Sequence, residues 1–182
     1  MKDLKQIIRG CLKNKRADQN ALYSHFSAKM YGLCLRYAQG YDEAQDILQE
    51  GFIKVFANLK KFRNEGELEG WIRRIMINTA IEKYRARLRE LSIFSDEQND
   101  YGLDSNMGLD NLNLGDLLDQ IQSLPMQYRL IFNLYIIEGY SHKDIAEQLN
   151  ITESTSRSNL ARARSILQKA LNEEQKVVQK VV

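Results

Sequence analysis

One proline and ten glycines are spread over 182 residues. So few chain breakers argue against a many-turned β protein and for long uninterrupted helices. Cysteine is equally scarce. Cys11 and Cys34 each sit among apolar residues at helical spacing and read as small core residues. They form no CxxC pair and no Cys/His cluster, so neither a structural zinc site nor a disulfide framework is expected. Histidine is limited to His25 and His142. Asp42, Glu43, Asp46 and Glu50 share one helix, but no histidine lies beside them to make a metal or acid–base site. No Gly-rich phosphate loop and no Ser/His/Asp set is visible. The sequence therefore predicts no enzyme, no metal and no cofactor. No apolar run is long enough to cross a bilayer and no leader pattern opens the chain, which makes the cytoplasm the expected compartment. Net charge is only +2, so bulk charge does not announce a nucleic-acid binder; its distribution does more.

What is present is helical periodicity without strand alternation, and the class read from it is all-α. The length suits two small domains of about 80 residues each. Residues 3–16 carry an apolar stripe of Leu4, Ile7, Ile8, Cys11 and Leu12. Residues 21–38 repeat the pattern with Leu22, Phe26, Met30, Leu33, Cys34 and Tyr37, and Gly40 is a plausible stop. A third helix places Ala44, Ile47, Leu48, Gly51, Phe52, Val55, Phe56 and Leu59 on one face, with Asp42 as its expected N-cap and Lys60 and Lys61 at its end. After a glycine-bearing loop, Arg63 to Gly70, a fourth helix is expected from Trp71 to about Leu91.

Residues 92–111 change character, rich in Ser, Asp, Asn and Gly. From Leu91 to Tyr128 there is no Lys or Arg but seven acidic residues. The stretch reads as a flexible acidic linker. Helical patterning resumes with Leu114, Leu117, Leu118 and Ile121; Leu124-Pro125 marks a break and a new start. Leu130, Ile131, Leu134 and Ile137 then carry the pattern to Gly139, and two further helices are expected at 142–149 and 153–171.

The strongest local signal lies between Tyr140 and Leu171. Ser141 with Asp144 resembles a capping box. Ile145, Ala146 and Leu149 form an inward face, and Ala146 is small where two helices must cross closely. Asn150 can take the left-handed turn conformation, Ile151 can plug the core, and Thr152 can cap the next helix. That helix points Thr155, Leu160, Ala163 and Leu167 inward and Arg157, Arg162 and Arg164 outward. Between Ser154 and Ala170 there are four basic residues and no acidic one, the balance a recognition helix needs in a major groove. Cap, small residue, turn, second cap and basic helix in order make a helix-turn-helix. His142, at its start, is expected to be exposed.

The helix after Trp71 is also basic. Over 71–90 there are six basic residues against two acidic. Arg74, Asn78, Arg85 and Arg89 share much of one face, interrupted by Glu82, with Arg73 and Arg87 nearby. Such a face suits a phosphate backbone; Asn78 can hydrogen-bond a base, and Trp71 with the preceding loop can hold an unpaired one.

Together these residues resemble a known family. Asp46-Ile-Leu-Gln-Glu-Gly-Phe52, Val55-Phe56, Phe62, Trp71-Ile-Arg-Arg-Ile75 and Asn78 look like the second conserved region of extracytoplasmic-function (ECF) sigma factors. Leu124-Pro125, Arg129, Phe132, Leu134, Glu138-Gly139, Ile145-Ala146, Leu149, Ile151, Thr155, Ser158 and Ala161-Arg-Ala-Arg164 look like their fourth. The resemblance implies a region 2 domain over 1–91, a linker over 92–111, a region 4 domain over 112–172 and a short tail over 173–182. It implies that Asp46, Gln49 and Glu50 grip the β′ clamp helices of core RNA polymerase, whose β subunit is a further contact. It implies −10 recognition and opening by Arg63, Asn64, Trp71, Arg73, Arg74, Asn78 and Arg85. For the −35 element it implies Thr152, Ser154, Thr155, Arg157, Ser158, Ala161 and Arg162. Promoter DNA, core polymerase and an anti-sigma factor are the implied partners, with no small-molecule substrate, and the protein is expected as a monomer or as one copy per holoenzyme. Ser156 stands where the family usually has an apolar residue, Asn159 and Ala161 replace commonly larger or basic ones, and Glu82 replaces a more usual Asp. The competing reading is a one-component helix-turn-helix regulator that binds duplex DNA as a dimer, which would need neither the acidic face nor the basic helix after Trp71.

Overall fold

The computed structural model describes residues 3–62, 67–94 and 114–181. Among them are eight α-helices and no strand, which is the all-α class. The chain divides into two compact units, Met1–Arg87 and Leu88–Val182.

In the first unit, α1 (Leu4–Leu12) and α2 (Arg16–Tyr37) meet at a tight corner. Periodicity predicts one helix over 3–16 and the next over 21–38; the break instead falls at Lys13–Lys15. Asn14 adopts φ 54°, a left-handed conformation that Asn tolerates better than most side chains. The amides of Lys13 and Lys15 both donate to the Gly10 carbonyl at 3.0 Å. Gly10 is required there, because a Cβ would lie 1.9 Å from Asp18 Oδ2. The carboxylate of Asp18 is buried in the first turn of α2, the positive end of that helix dipole.

α3 (Tyr41–Asn58) is capped by Gly40 rather than by the expected Asp42. Asp42 and Glu43 lie in its first turn instead, and Glu43 Oε2 accepts the Gln39 amide at 2.6 Å. Inward, α3 buries Ala44, Ile47, Leu48, Gly51, Phe52 and Val55, the stripe read from the sequence. A short 3₁₀ turn (Leu59–Lys61) follows. α4 (Leu68–Phe94) starts before Trp71 and runs past Leu91. It approaches α3 closely, since a Cβ on Gly51 would meet Met76 Sδ at 2.2 Å. Ile72, Met76, Ile77, Ile81 and Tyr84 of α4 are buried in the unit's core.

The second unit comprises α5 (Leu114–Ser123), α6 (Met126–Phe132), a π turn (Asn133–Ile137), α7 (His142–Leu149) and α8 (Glu153–Val181). The sequence suggested one helix from Pro125 to Gly139, but its last turn widens to π geometry. The Glu138 and Tyr140 amides then close the end on the carbonyls of Asn133 and Leu134, around Gly139 at φ +75°. Leu124, Leu130, Ile131, Leu134, Ile145, Leu149, Leu160, Ala163 and Leu167 fill the core. Arg129 is buried with them, its Nη1 donating to the Gln122 carbonyl at 2.8 Å. α8 continues to Val181, ten residues beyond the expected end at Leu171.

Candidate polymerase and nucleic-acid interfaces

Burying the apolar stripe of α3 forces the opposite stripe outward. Asp46, Gln49 and Glu50 are all exposed. Two further features mark this face. Ile53, 68% exposed, stands on the same stripe as the three polar residues. Lys83, from α4, reaches across to the carboxylates, with Nζ 2.7 Å from Glu50 Oε1 and 3.8 Å from Asp46 Oδ2.

On α4, Trp71, Arg74, Asn78, Arg85 and Arg89 fall within roughly 60° of arc at 100° per residue. Arg74, Asn78 and Arg89 are exposed; Trp71, Arg73 and Arg85 are half-buried. Trp71 packs against Phe62, ring centroids 5.5 Å apart, so part of the indole is anchored while part remains accessible. Glu82, the acid that interrupts the basic face, is paired with Lys54 of α3 at 2.5 Å, and Lys54 also donates to Thr79 Oγ1 at 3.2 Å. That pairing neutralises the interruption. Arg63 and Asn64 lie outside the described residues.

The helix-turn-helix is built as the sequence indicated. Ser141 Oγ accepts the Asp144 amide at 3.1 Å, and Asp144 Oδ2 accepts the Ser141 amide at 3.1 Å. The Ser141 hydroxyl, donating to Oδ2 at 2.6 Å, and then the Ser141 amide hold the Asp144 carboxyl below its ordinary pKa. Asn150 turns the chain at φ 55°, ψ 48°. Thr152 Oγ1 accepts the Thr155 amide at 3.0 Å, which caps α8. On α8, Ser154, Arg157, Ser158, Ala161 and Arg162 are exposed, as is Thr152 ahead of it, whereas Thr155 is half-buried. Arg157 pairs with Glu153 at 2.6 Å, and Arg162 Nη1 donates to the Tyr128 hydroxyl at 3.1 Å. Asn159 is buried rather than groove-facing.

His142 departs from the expected exposed position. It is half-buried, stacked on Tyr135 with centroids 4.3 Å apart and planes at 22°. Its Nδ1 lies 2.9 Å from the hydroxyl of Ser156, which is fully buried. Burial pulls its pKa below the ordinary histidine value, and the Arg157 cation adds to the effect. Cys11 and Cys34 are both buried, and burial pushes the Cys34 thiol up to about 12. Among the described residues no group of three His, Cys, Asp or Glu gathers to hold a metal ion, and no helix is long and apolar enough to cross a membrane.

An outward acidic stripe on one unit and a capped basic recognition helix on the other correspond to two family descriptions. Residues 22–90 match sigma-70 region 2, and residues 114–167 match sigma-70 region 4. The class is therefore that of sigma-70-type transcription initiation factors. Among curated relatives, the RNA polymerase sigma-H factor of Pseudomonas aeruginosa is 32% identical over 172 residues, covering 86% of this chain and 89% of that protein. The ECF RNA polymerase sigma-E factor of Haemophilus influenzae is 29% identical over 161 residues, 82% of this chain and 85% of that one. The ECF sigma factor SigW of Bacillus subtilis is 29% identical over 174 residues, 87% and 93%. The sigma factor RpoE of Bartonella quintana, solved in complex with the anti-sigma factor NepR, shares the fold: TM-score 0.52, 22% identity, 85% of this chain and 97% of that one. The chain belongs to the ECF RNA polymerase sigma factors, and it directs promoter-specific transcription initiation.

Proposed function

We propose that the protein holds core RNA polymerase with the exposed face of α3, reads promoter DNA with α4 and α8, and works by binding alone in the cytoplasm, with no covalent step of its own. The observation that carries this reading is the outward presentation of Ser154, Arg157, Ser158, Ala161 and Arg162 on a capped helix whose apolar residues Leu160, Ala163 and Leu167 lie in the core. A helix so presented can enter a major groove with its N-terminal turns and arginines against base edges and flanking phosphates.

Residue by residue, Asp46, Gln49 and Glu50 form the polymerase contact, with Ile53 as an apolar centre inside a charged rim. The −10 element falls to Arg63, Asn64, Trp71, Arg73, Arg74, Asn78 and Arg85, and the −35 element to Thr152, Ser154, Thr155, Arg157, Ser158, Ala161 and Arg162. Region 2 would occupy 1–91, the acidic linker 92–111, region 4 112–172 and the tail 173–182. Strand opening then draws on binding energy and capture of unpaired bases, which needs no nucleotide hydrolysis. Membership of the family, together with a relative solved in complex with an anti-sigma factor, supports an anti-sigma protein that covers these exposed faces as the regulatory partner.

The deciding experiment mixes purified protein with core RNA polymerase free of other sigma factors and follows co-elution and initiation from genomic fragments. A stoichiometric complex that initiates at selected fragments is the expected result. Absence of a complex with a competent core, together with tight dimeric binding to duplex DNA, would instead identify a one-component regulator.

A further inference from the structure

Ser156 lies inside the recognition helix yet is fully buried, 0% exposed, one residue before Arg157. A hydroxyl in such a place needs a partner. It finds one in His142 Nδ1, 2.9 Å away at the first position of α7. His142 is itself fixed from two sides. Its ring stacks on Tyr135 in the π turn, and its backbone directly follows Ser141, whose reciprocal bonds with Asp144 lock the first turn of α7. One hydrogen bond therefore references α8 to two other elements of the unit.

We infer that His142 and Ser156 are positioning residues that set the roll of α8 about its own axis, and through it the aim of Arg157, Ser158, Ala161 and Arg162 at the −35 bases. The inference rests on the −35 assignment above. Leu160, Ala163 and Leu167 give α8 its apolar inward contacts; Asn159 is buried beside them, and at the exposed edge Arg162 donates to Tyr128 of α6 at 3.1 Å, so His142–Ser156 is the directional contact to α7. Apolar burial is non-directional and tolerates small rotations, whereas a hydrogen bond is narrow in distance and angle. A roll of roughly 20° moves a group about 6 Å from the helix axis by about 2 Å. A displacement of that size separates a bidentate arginine from a base edge while leaving the core buried. The pair thus acts on discrimination between bases more than on affinity for polymerase, whose proposed contacts lie on α3.

The test uses the full chain assembled with core polymerase and compares initiation from a selected promoter with initiation from single-base variants of its −35 element. Ser156→Ala and His142→Phe are each expected to keep co-elution with core and to lose discrimination by roughly 10-fold. His142→Asn, whose amide can occupy the place of Nδ1, is expected to retain most of it. The double variant Ser156→Ala/His142→Phe removes both polar partners, so its thermal midpoint should recover while discrimination stays low. Undiminished discrimination in folded Ser156→Ala overturns the inference, as does recovery of discrimination in step with the midpoint in the double variant. Should Ser156→Ala not fold, His142→Phe against His142→Asn decides the matter, and equal discrimination by the two overturns it. Selective initiation by the unsubstituted protein establishes the −35 reading separately, so failure of that reading is visible in the control.

Discussion

Replacing Lys83 by Met tests how the α3 carboxylates are held before polymerase arrives. Lys83 Nζ sits 2.7 Å from Glu50 and 3.8 Å from Asp46, with the lysine side chain 24% exposed and the carboxylates 49% and 66%. In water-like dielectric these separations correspond to about 1.5 and about 1.1 kcal/mol of attraction, and exposure with side-chain ordering cuts the net worth of such pairs to about 0.2–1 kcal/mol. Met keeps the length and apolar stem, so the loss of folding stability should stay below about 1 kcal/mol. On the proposed assignment of this face to polymerase, a cationic partner there must compete with Lys83 for the same oxygens. Removing the competitor should therefore strengthen core binding by about 2–5-fold at low ionic strength. The gain should shrink as salt rises, because the screening length contracts to about 3 Å near 1 M. Fluorescence titration of labelled protein with core polymerase at several salt concentrations measures both quantities. Weaker core binding by Lys83→Met at low salt, with the fold intact, would show that Lys83 organises the carboxylates for their partner and would refute the competition argument.

Three further outcomes follow from the same geometry. Arg162→Ala, which also removes the bond to Tyr128, should lower −35 discrimination by about 1–3 kcal/mol per misread base while co-elution with core stays unchanged; promoter selectivity assays check this. Asn150→Ala forces a β-carbon without local hydrogen-bonding ability into φ 55° and should cost about 1–2 kcal/mol, read by denaturant unfolding, with Asn150→Gly much milder. For His142 the folded pKa lies below the ordinary 6.5, so the unfolded chain takes up the proton first. Stability should be fully present above that value and fall as pH drops from it through the lowered folded one, and His142→Asn should flatten this part of the profile in pH-dependent melting.

Much of the fold was legible because its elements follow strong local rules. The α3 stripe, the Ser141–Asp144 box, the Asn150 turn and the Thr152 cap each depend on residues a few positions apart, and each appears where periodicity and capping chemistry put it. Boundaries were harder to read where a distant or unusual backbone feature intervened. The α1–α2 corner depends on Gly10 yielding space to Asp18, and Gly40 takes the cap that side-chain preference gave to Asp42. The π turn at Asn133–Ile137 leaves no mark on a helical pattern. At the candidate site, exposure of the acidic and basic stripes was readable from the burial of their opposites. Pairings between helices were not. Lys83 with Glu50, Lys54 with Glu82, Arg162 with Tyr128 and His142 with Ser156 span 14 to 34 residues and depend on helix packing that no single periodicity encodes.

The close seam between α3 and α4 has a consequence for when order is imposed during initiation. Gly51 admits Met76 against the backbone, and Lys54 bonds both Thr79 and Glu82 along the same seam. A polymerase that immobilises α3 immobilises α4 with it. On the proposed assignment of α4 to the −10 element, the entropy lost in fixing it is incurred at holoenzyme assembly, once, and not again at each promoter.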